Sequence, residues 1–212
     1  MHPERVVKHH RLAAVLAALA LLSCQGGLGG LGASPPVSGV WLLVPAESSL
    51  WFVGIKNNAI GVPGSFAGME GGFDVQKSEA WLEVRVGSVD TGNPERDENL
   101  RVHLFDSLRF PAARFAMTGI PGAAALPAVG ASIETKLAGK LLIRGSEFPL
   151  EVPVRVTRAA ANQIRVRNTK PVVLSLADLG MEQALAVLKA VCGHEAVSGA
   201  VPIEIDVVFE PI

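Results

Sequence analysis

The strict alternation of apolar and polar residues constrains this chain more than any other feature. Leu150, Val152, Val154 and Val156 alternate with Glu151, Pro153, Arg155 and Thr157. Near the C-terminus, Val201, Ile203, Ile205, Val207 and Phe209 alternate with Pro202, Glu204, Asp206 and, past Val208, Glu210. A period of two sends successive side chains to opposite faces of a strand, so each segment has one dry and one wet face. Leu82, Val84 and Val86 repeat the pattern against Glu83 and Arg85, and shorter versions run from Ser49 to Lys56, from Leu137 to Arg144 and around Ile164 and Val166. The expectation is an all-β domain over residues 39–212 with about eight strands. Short polar or glycine-bearing turns between them favour antiparallel order. A sandwich and a closed barrel both satisfy the pattern. The barrel leaves no unpaired edge, and eight strands enclose an interior that side chains fill or that holds one ligand.

Two stretches depart from period two. Met181, Leu185, Leu188 and Cys192 recur at the spacing of one helical face after Asp178, a candidate N-cap, which predicts a helix over 179–192 closing one end of the sheet. Asn99 to Phe105 predicts a short helical turn, with Leu100, Leu104 and Phe105 on one side. No internal repeat and no second composition regime follows, so one domain accounts for the chain beyond residue 38. The 19 basic and 20 acidic side chains balance, which makes nucleic acid a poor partner. With 49% of residues apolar and 18% charged, the chain buries a core rather than staying disordered. Its two cysteines, Cys24 and Cys192, exclude a disulfide scaffold.

The first residues read as an export address. Arg5, Lys8 and Arg11 precede an uncharged run from Leu12 to Leu22. As a helix that run reaches roughly 16 Å at about 1.5 Å per residue, about half of a ~30 Å hydrocarbon core. Leu21-Leu22-Ser23 then leads into Cys24, which resembles the lipobox of bacterial lipoproteins. The resemblance implies residues 1–23 as a signal peptide, cleavage before Cys24, and lipid attachment at Cys24 as a near-permanent membrane anchor. Gln25 in place of an aspartate points to the outer membrane, on the periplasmic side. A plain signal peptide would instead leave the protein soluble in the periplasm. Loss of Arg5, Lys8, Arg11 and Glu4 with the leader leaves 16 basic and 19 acidic residues. Residues 24–38, rich in glycine and carrying Pro35-Pro36, read as a flexible tether.

The chain is poor in reactive chemistry. Beyond the leader only His103 and His194 are histidines, and there is no Gly-x-Ser-x-Gly elbow, so a hydrolase is disfavoured. Cys192, His194 and Glu195 are close in sequence but lack the partner spacing of a zinc site, and no metal is expected; Cys192 reads as a buried thiol on the helical stripe. The polar loop from Asp90 to Glu98 lacks an EF-hand rhythm. It reads as a turn built on Gly92, Asn93 and Pro94, with Arg96 paired to a neighbouring carboxylate. Gly61, Gly64, Gly68, Gly71 and Gly72 follow no phosphate fingerprint and suit bends of a curving sheet.

Ser88 to Phe115, SVDTGNPERDENLRVHLFDSLRFPAARF, closely resembles the signature of YceI-like proteins, with Val89 to Gly92, Arg96-Asp97, Phe105-Asp106, and Phe110, Pro111, Ala113 and Phe115 at the matching positions. Leu137 to Val154 resembles the family's next hairpin, and Ser48 to Phe73 its opening. The resemblance implies an eight-stranded antiparallel, lipocalin-like barrel, with one or two short helices closing its ends, around an apolar interior that holds a polyisoprenoid such as a quinone tail. Asn57-Asn58 stands where many members carry a histidine-containing turn. The candidate cavity residues are Phe52, Phe66, Phe73, Leu82, Val84, Phe115, Leu141, Val152, Val154, Ile203 and Ile205, with Leu104, Phe105 and Phe110 near one mouth. The expected function is non-catalytic binding of an isoprenoid or similar apolar chain, with no required cofactor. The alternative is a structural or interaction protein on the same barrel with a filled interior.

Overall fold

Each long strand pairs with its neighbours in sequence, and four of the eight are broken in the middle. The computed structural model describes residues 36–120 and 125–212, within a compact unit spanning Ser34–Ile212. The leader, Cys24 and most of the tether lie outside the described residues. The first stave is β1 (Val40–Leu43) and β2 (Ser49–Lys56), interrupted by a 3-10 turn at Pro45–Glu47; the second is β3 (Ile60–Phe66) and β4 (Met69–Asp74); the third is β5 (Glu79–Arg85) and β6 (Val89–Asp90). The next three are unbroken: β7 (Ala112–Thr118), β8 (Ser132–Ile143) and β9 (Ser146–Ala160). The seventh is β10 (Gln163–Asn168) and β11 (Val172–Ser175), and β12 (Ala200–Pro211) is the eighth.

The ring closes through β12. Its first half lies between β11 and β2, with Phe52 opposite Ile203, and its second half between β10 and β1, with Leu43 opposite Phe209. All pairings in the circuit are antiparallel, giving a closed up-and-down barrel of eight staves. The breaks have a local cause. Pro45 opens the 3-10 turn in the first stave, and Pro171 lies in the gap of the seventh, just before β11. There the Asn168 side chain replaces lost ladder bonds, donating to Lys170 O and Ile203 O and accepting from Ile205 N.

One end of the barrel carries the helices. Helix α1 (Pro94–Asn99) runs directly into a π-helical turn, Leu100–Phe105, and α2 (Glu182–Val191) lies beside it. The sequence reading started α2 too early. Gly180 takes φ +63°, so Asp178 to Gly180 form a turn, Met181 is the N-cap, and no side chain caps the helix. The opposite, turn-bearing end holds the hairpin around Gln76, the Ala161-Asn162 turn and Val37. Val37 falls within the glycine-rich stretch that reads as a tether, yet it is 2% exposed and belongs to the core cluster with Trp41 and Ile164. The apolar side chain at the end of a polar, glycine-rich run is drawn into the barrel floor by the same burial that holds the core.

The alternation has its physical counterpart on the two faces. Outward residues form cross-strand ion pairs, including Arg114–Glu83, Lys136–Glu151, Lys140–Glu147, Arg155–Glu134 and Arg165–Asp206. Hydrogen bonding to Glu151 holds the Lys136 ammonium above its ordinary range, and Asp206 does the same for Arg165. Such exposed pairs add little stability and mainly keep the outer face wet. The inner face is tightly fitted where glycines face rings. A side chain on Gly139 would collide with the Ala116 carbonyl and the Phe115 ring. Gly139→Ala should therefore lower stability by about 1–3 kcal/mol, read as a lower urea midpoint at unchanged slope; an unchanged midpoint would contradict this packing.

Candidate functional site

The inward phase of the strands does not fill the barrel. Two abutting cavities remain, about 210 Å³ at the helical end and about 130 Å³ toward the turn-bearing end. Leu82, Phe115, Val152 and Ile205 border both, so they form the waist of one lumen. Together the chambers reach the lower part of the range of about 300–1,000 Å³ typical of small-molecule sites. The upper chamber is roofed by Leu100, Leu104 and Phe105 of the π-helical turn and by Leu185 and Leu188 of α2. The stripe that suggested a helix from sequence is thus the lid of this chamber.

Aromatic rings organise each chamber. In the upper one Phe52, Phe66 and Phe105 contact in series, with centroids 5.4 and 5.8 Å apart, joining β2, β3 and the π-helical turn. Opposite Phe52, Gly64 leaves the space its ring occupies, so this glycine serves ring packing rather than a strand bend. At the other end Phe73 stacks on Trp41 at 5.5 Å and meets Phe209 edge-on at 5.4 Å. Phe73 and Phe209 line the lower chamber.

Polar lining is sparse. Besides Trp81, the hydrogen-bonding side chains are Thr135 and Asn168 below and Ser198 above. Asn168 is engaged with backbone, as described, and Ser198 Oγ bonds to the Ala200 backbone. A buried water needs two to four polar partners, and an apolar cavity of ~150 Å³ lined by Leu, Ile and Phe stays dry and takes up apolar guests. The lumen is therefore chemically suited to hydrocarbon.

Thirteen of the fourteen sequence candidates border this space. Phe52, Phe66, Val84, Leu104, Phe105, Leu141 and Ile203 line the upper chamber, Phe73 and Val154 the lower, and Leu82, Phe115, Val152 and Ile205 the waist. Phe110 does not. It follows the left-handed residue Asp106 and the turn after the π-helix, and its ring sits beneath the guanidinium groups of Arg109 and Arg144, 5.0 and 5.9 Å from their carbons. A cation face, rather than the lumen, takes this ring. Sequence reasoning missed Trp81, Met117 and Ile133 of the lower wall.

The polar loop anchors the lid. Asn93 accepts from Arg96 N as the α1 N-cap, with Pro94 in the first turn. Arg96 forms no carboxylate pair among the described residues, contrary to the sequence reading; its Nη1 reaches Thr91 O at 3.4 Å. The buried acid is Asp97, whose Oδ1 accepts from Thr91 N at 2.9 Å and Thr91 Oγ1 at 2.6 Å. Arg144 donates to Leu104 O, tying the π-helical turn to the β8–β9 hairpin. Cys192 is half-buried, with Asn99 Nδ2 3.8 Å from its Sγ. Among the described residues no group of His, Cys, Asp and Glu side chains is arranged to hold a metal ion.

Fold and lumen together define an antiparallel eight-stranded, lipocalin-like barrel with an apolar interior. The chain belongs to the YceI-like family, whose domain model matches residues 41–209. The polyisoprenoid binding domain from Saccharophagus degradans, implicated in plant cell wall breakdown, is similar at a TM-score of 0.77 and 25% identity, over 81% of this chain and 98% of that one. Burkholderia cenocepacia BcnA shares the fold, with a TM-score of 0.57 and 21% identity over 78% of this chain and 98% of its own. No curated protein matches this chain.

Loss of the Asp97 carboxylate leaves the Thr91 N–H and hydroxyl without their partner. Asp97→Ala should cost about 1–3 kcal/mol, measured by urea unfolding. Wild-type stability in that variant would show that the loop is held by other contacts.

Proposed function

We infer that the protein holds a long apolar chain of the polyisoprenoid type in its lumen, at the periplasmic face of a bacterial membrane to which acyl groups on Cys24 anchor it. The observation that carries the binding reading is a pair of abutting chambers whose hydrogen-bonding side chains are few, with Asn168 and Ser198 engaged with backbone. Membership of a family of polyisoprenoid-binding barrels supports it. The physics favours a guest. At about 24 cal/mol per Å³, vacant space on this scale costs roughly 3 kcal/mol in the lower chamber and 5 kcal/mol in the upper. A chain that fills it relieves that cost and removes its own surface from water at about 25 cal/mol per Å². Ordering the chain opposes binding, so affinity depends on how well its shape follows the waist. An isoprenoid quinone fits this description, its tail in the lumen, and the reading requires no reactive side chain.

The anchor reading is supported by the charged start, the apolar run and Leu21-Leu22-Ser23 before Cys24. No helix among the described residues is long and apolar enough to cross a membrane.

Organic extraction of the purified protein followed by mass spectrometry should yield a chain lipid near one per molecule, and the stripped protein should melt several degrees lower until the lipid is returned. Repeated absence of lipid, with no change in melting after extraction, would favour a structural role for the barrel. For the anchor, Cys24→Ser should move the protein from the membrane fraction to the soluble periplasmic fraction; unchanged membrane retention would refute lipid attachment at this residue.

A further inference from the structure

One inward-facing position of the barrel is charged. On β9 the inner phase runs Leu150, Val152, Val154, Val156 and then Arg158. Arg158 pairs across the ladder with Ile164, and both Val156 and Ile164 line the lower chamber. The arginine is 4% exposed. Its backbone is fixed on both sides, with its N–H donating to Ala131 O and its carbonyl accepting from Gly130 N.

The guanidinium is poorly satisfied. Nη2 donates to Ala161 O at 3.2 Å, while buried Nε has no acceptor among the described residues. No ion pair with a described carboxylate involves it, whereas Arg114, Arg155 and Arg165, on the outer face, each have an acidic partner. A guanidinium is permanently charged and offers five donors in a planar fork suited to carboxylate and phosphate. Burying such a group without a counter-charge is costly, and proteins ordinarily pair it.

We propose that Arg158 is a polar terminus of the lumen, which takes the anionic end group, carboxylate or phosphate, of a chain lying along the lower chamber. This rests on the lumen holding a chain. Arg158 does not itself line the chamber, whereas its neighbours Val156 and Ile164 do, so engagement requires the guanidinium to leave Ala161 O and turn toward the chamber about its own side-chain torsions. The apolar wall then holds the chain, and one charge selects its end.

The test compares ligands of equal chain and different end: palmitate against hexadecanol, and farnesyl phosphate against farnesol, at pH 8, by titration of the delipidated full-length protein. Wild type should bind at least one anion about 10- to 100-fold more tightly than its alcohol. Preference within the first pair identifies a carboxylate, and within the second a phosphate. Arg158→Met should abolish the preference while leaving alcohol affinity unchanged, and Arg158→Lys should keep part of it. Equal binding of anion and alcohol by wild type, or an undiminished preference in Arg158→Met, would overturn the assignment of Arg158 while leaving the lumen reading intact. Failure of all four ligands to bind would overturn both. The wild-type comparison needs no variant, so equal binding there overturns the assignment even if Arg158→Met does not fold, and the smaller change Arg158→Lys then carries the comparison.

Discussion

The seam between β12 and the broken first stave is the constraint on which the rest depends. Because β12 is long enough to pair with β11 and β2 in one half and with β10 and β1 in the other, it closes the sheet although both neighbours are interrupted. Closure removes the sheet edges and directs one phase of every stave toward a common axis. The inner phase is apolar along nearly its whole length, and the outer phase carries the ion pairs. A sandwich built from the same strands would press two such faces together, whereas the ring keeps them apart and leaves a lumen.

What occupies the ends then determines how the lumen is used. At the helical end, the π-helical turn and α2 supply Leu104, Phe105, Leu185 and Leu188 as a roof, tied down by Asp97 to Thr91 and by Arg144 to Leu104 O. This roof rests on a few polar contacts and side-chain packing rather than on a sheet ladder. The other end is closed by Val37 and by the loop that bonds to Arg158 through Ala131 and Gly130.

Much of this was legible in the sequence because burial writes itself into period two. The inward sets on β9 and β12 were readable since each apolar residue is flanked by a charged, polar or proline residue. The α2 stripe was readable too, though its start was not, because Gly180 breaks the helix in a way that Asp178 disguises. Other features needed the fold. In sequence the pattern on β9 stops where Arg158 falls on the apolar phase, since a charge there reads as the close of a strand rather than as a buried group. Val37 belongs to the core only because the barrel floor is there to receive it. Phe110 has the composition of a wall residue, but its partners Arg109 and Arg144 converge only after the turn and hairpin form. The two-chamber lumen, with its waist at Leu82, Phe115, Val152 and Ile205, depends on which inward side chains meet across the barrel, and that follows from register rather than from pattern.

Localising a chain inside the barrel tests the central claim most directly. Crystals grown with a brominated sixteen-carbon chain should show anomalous bromine peaks between the Phe66 and Phe73 ends of the lumen, passing the waist at Phe115. Peaks confined to the outer surface, with the lumen vacant at saturating lipid, would contradict the account.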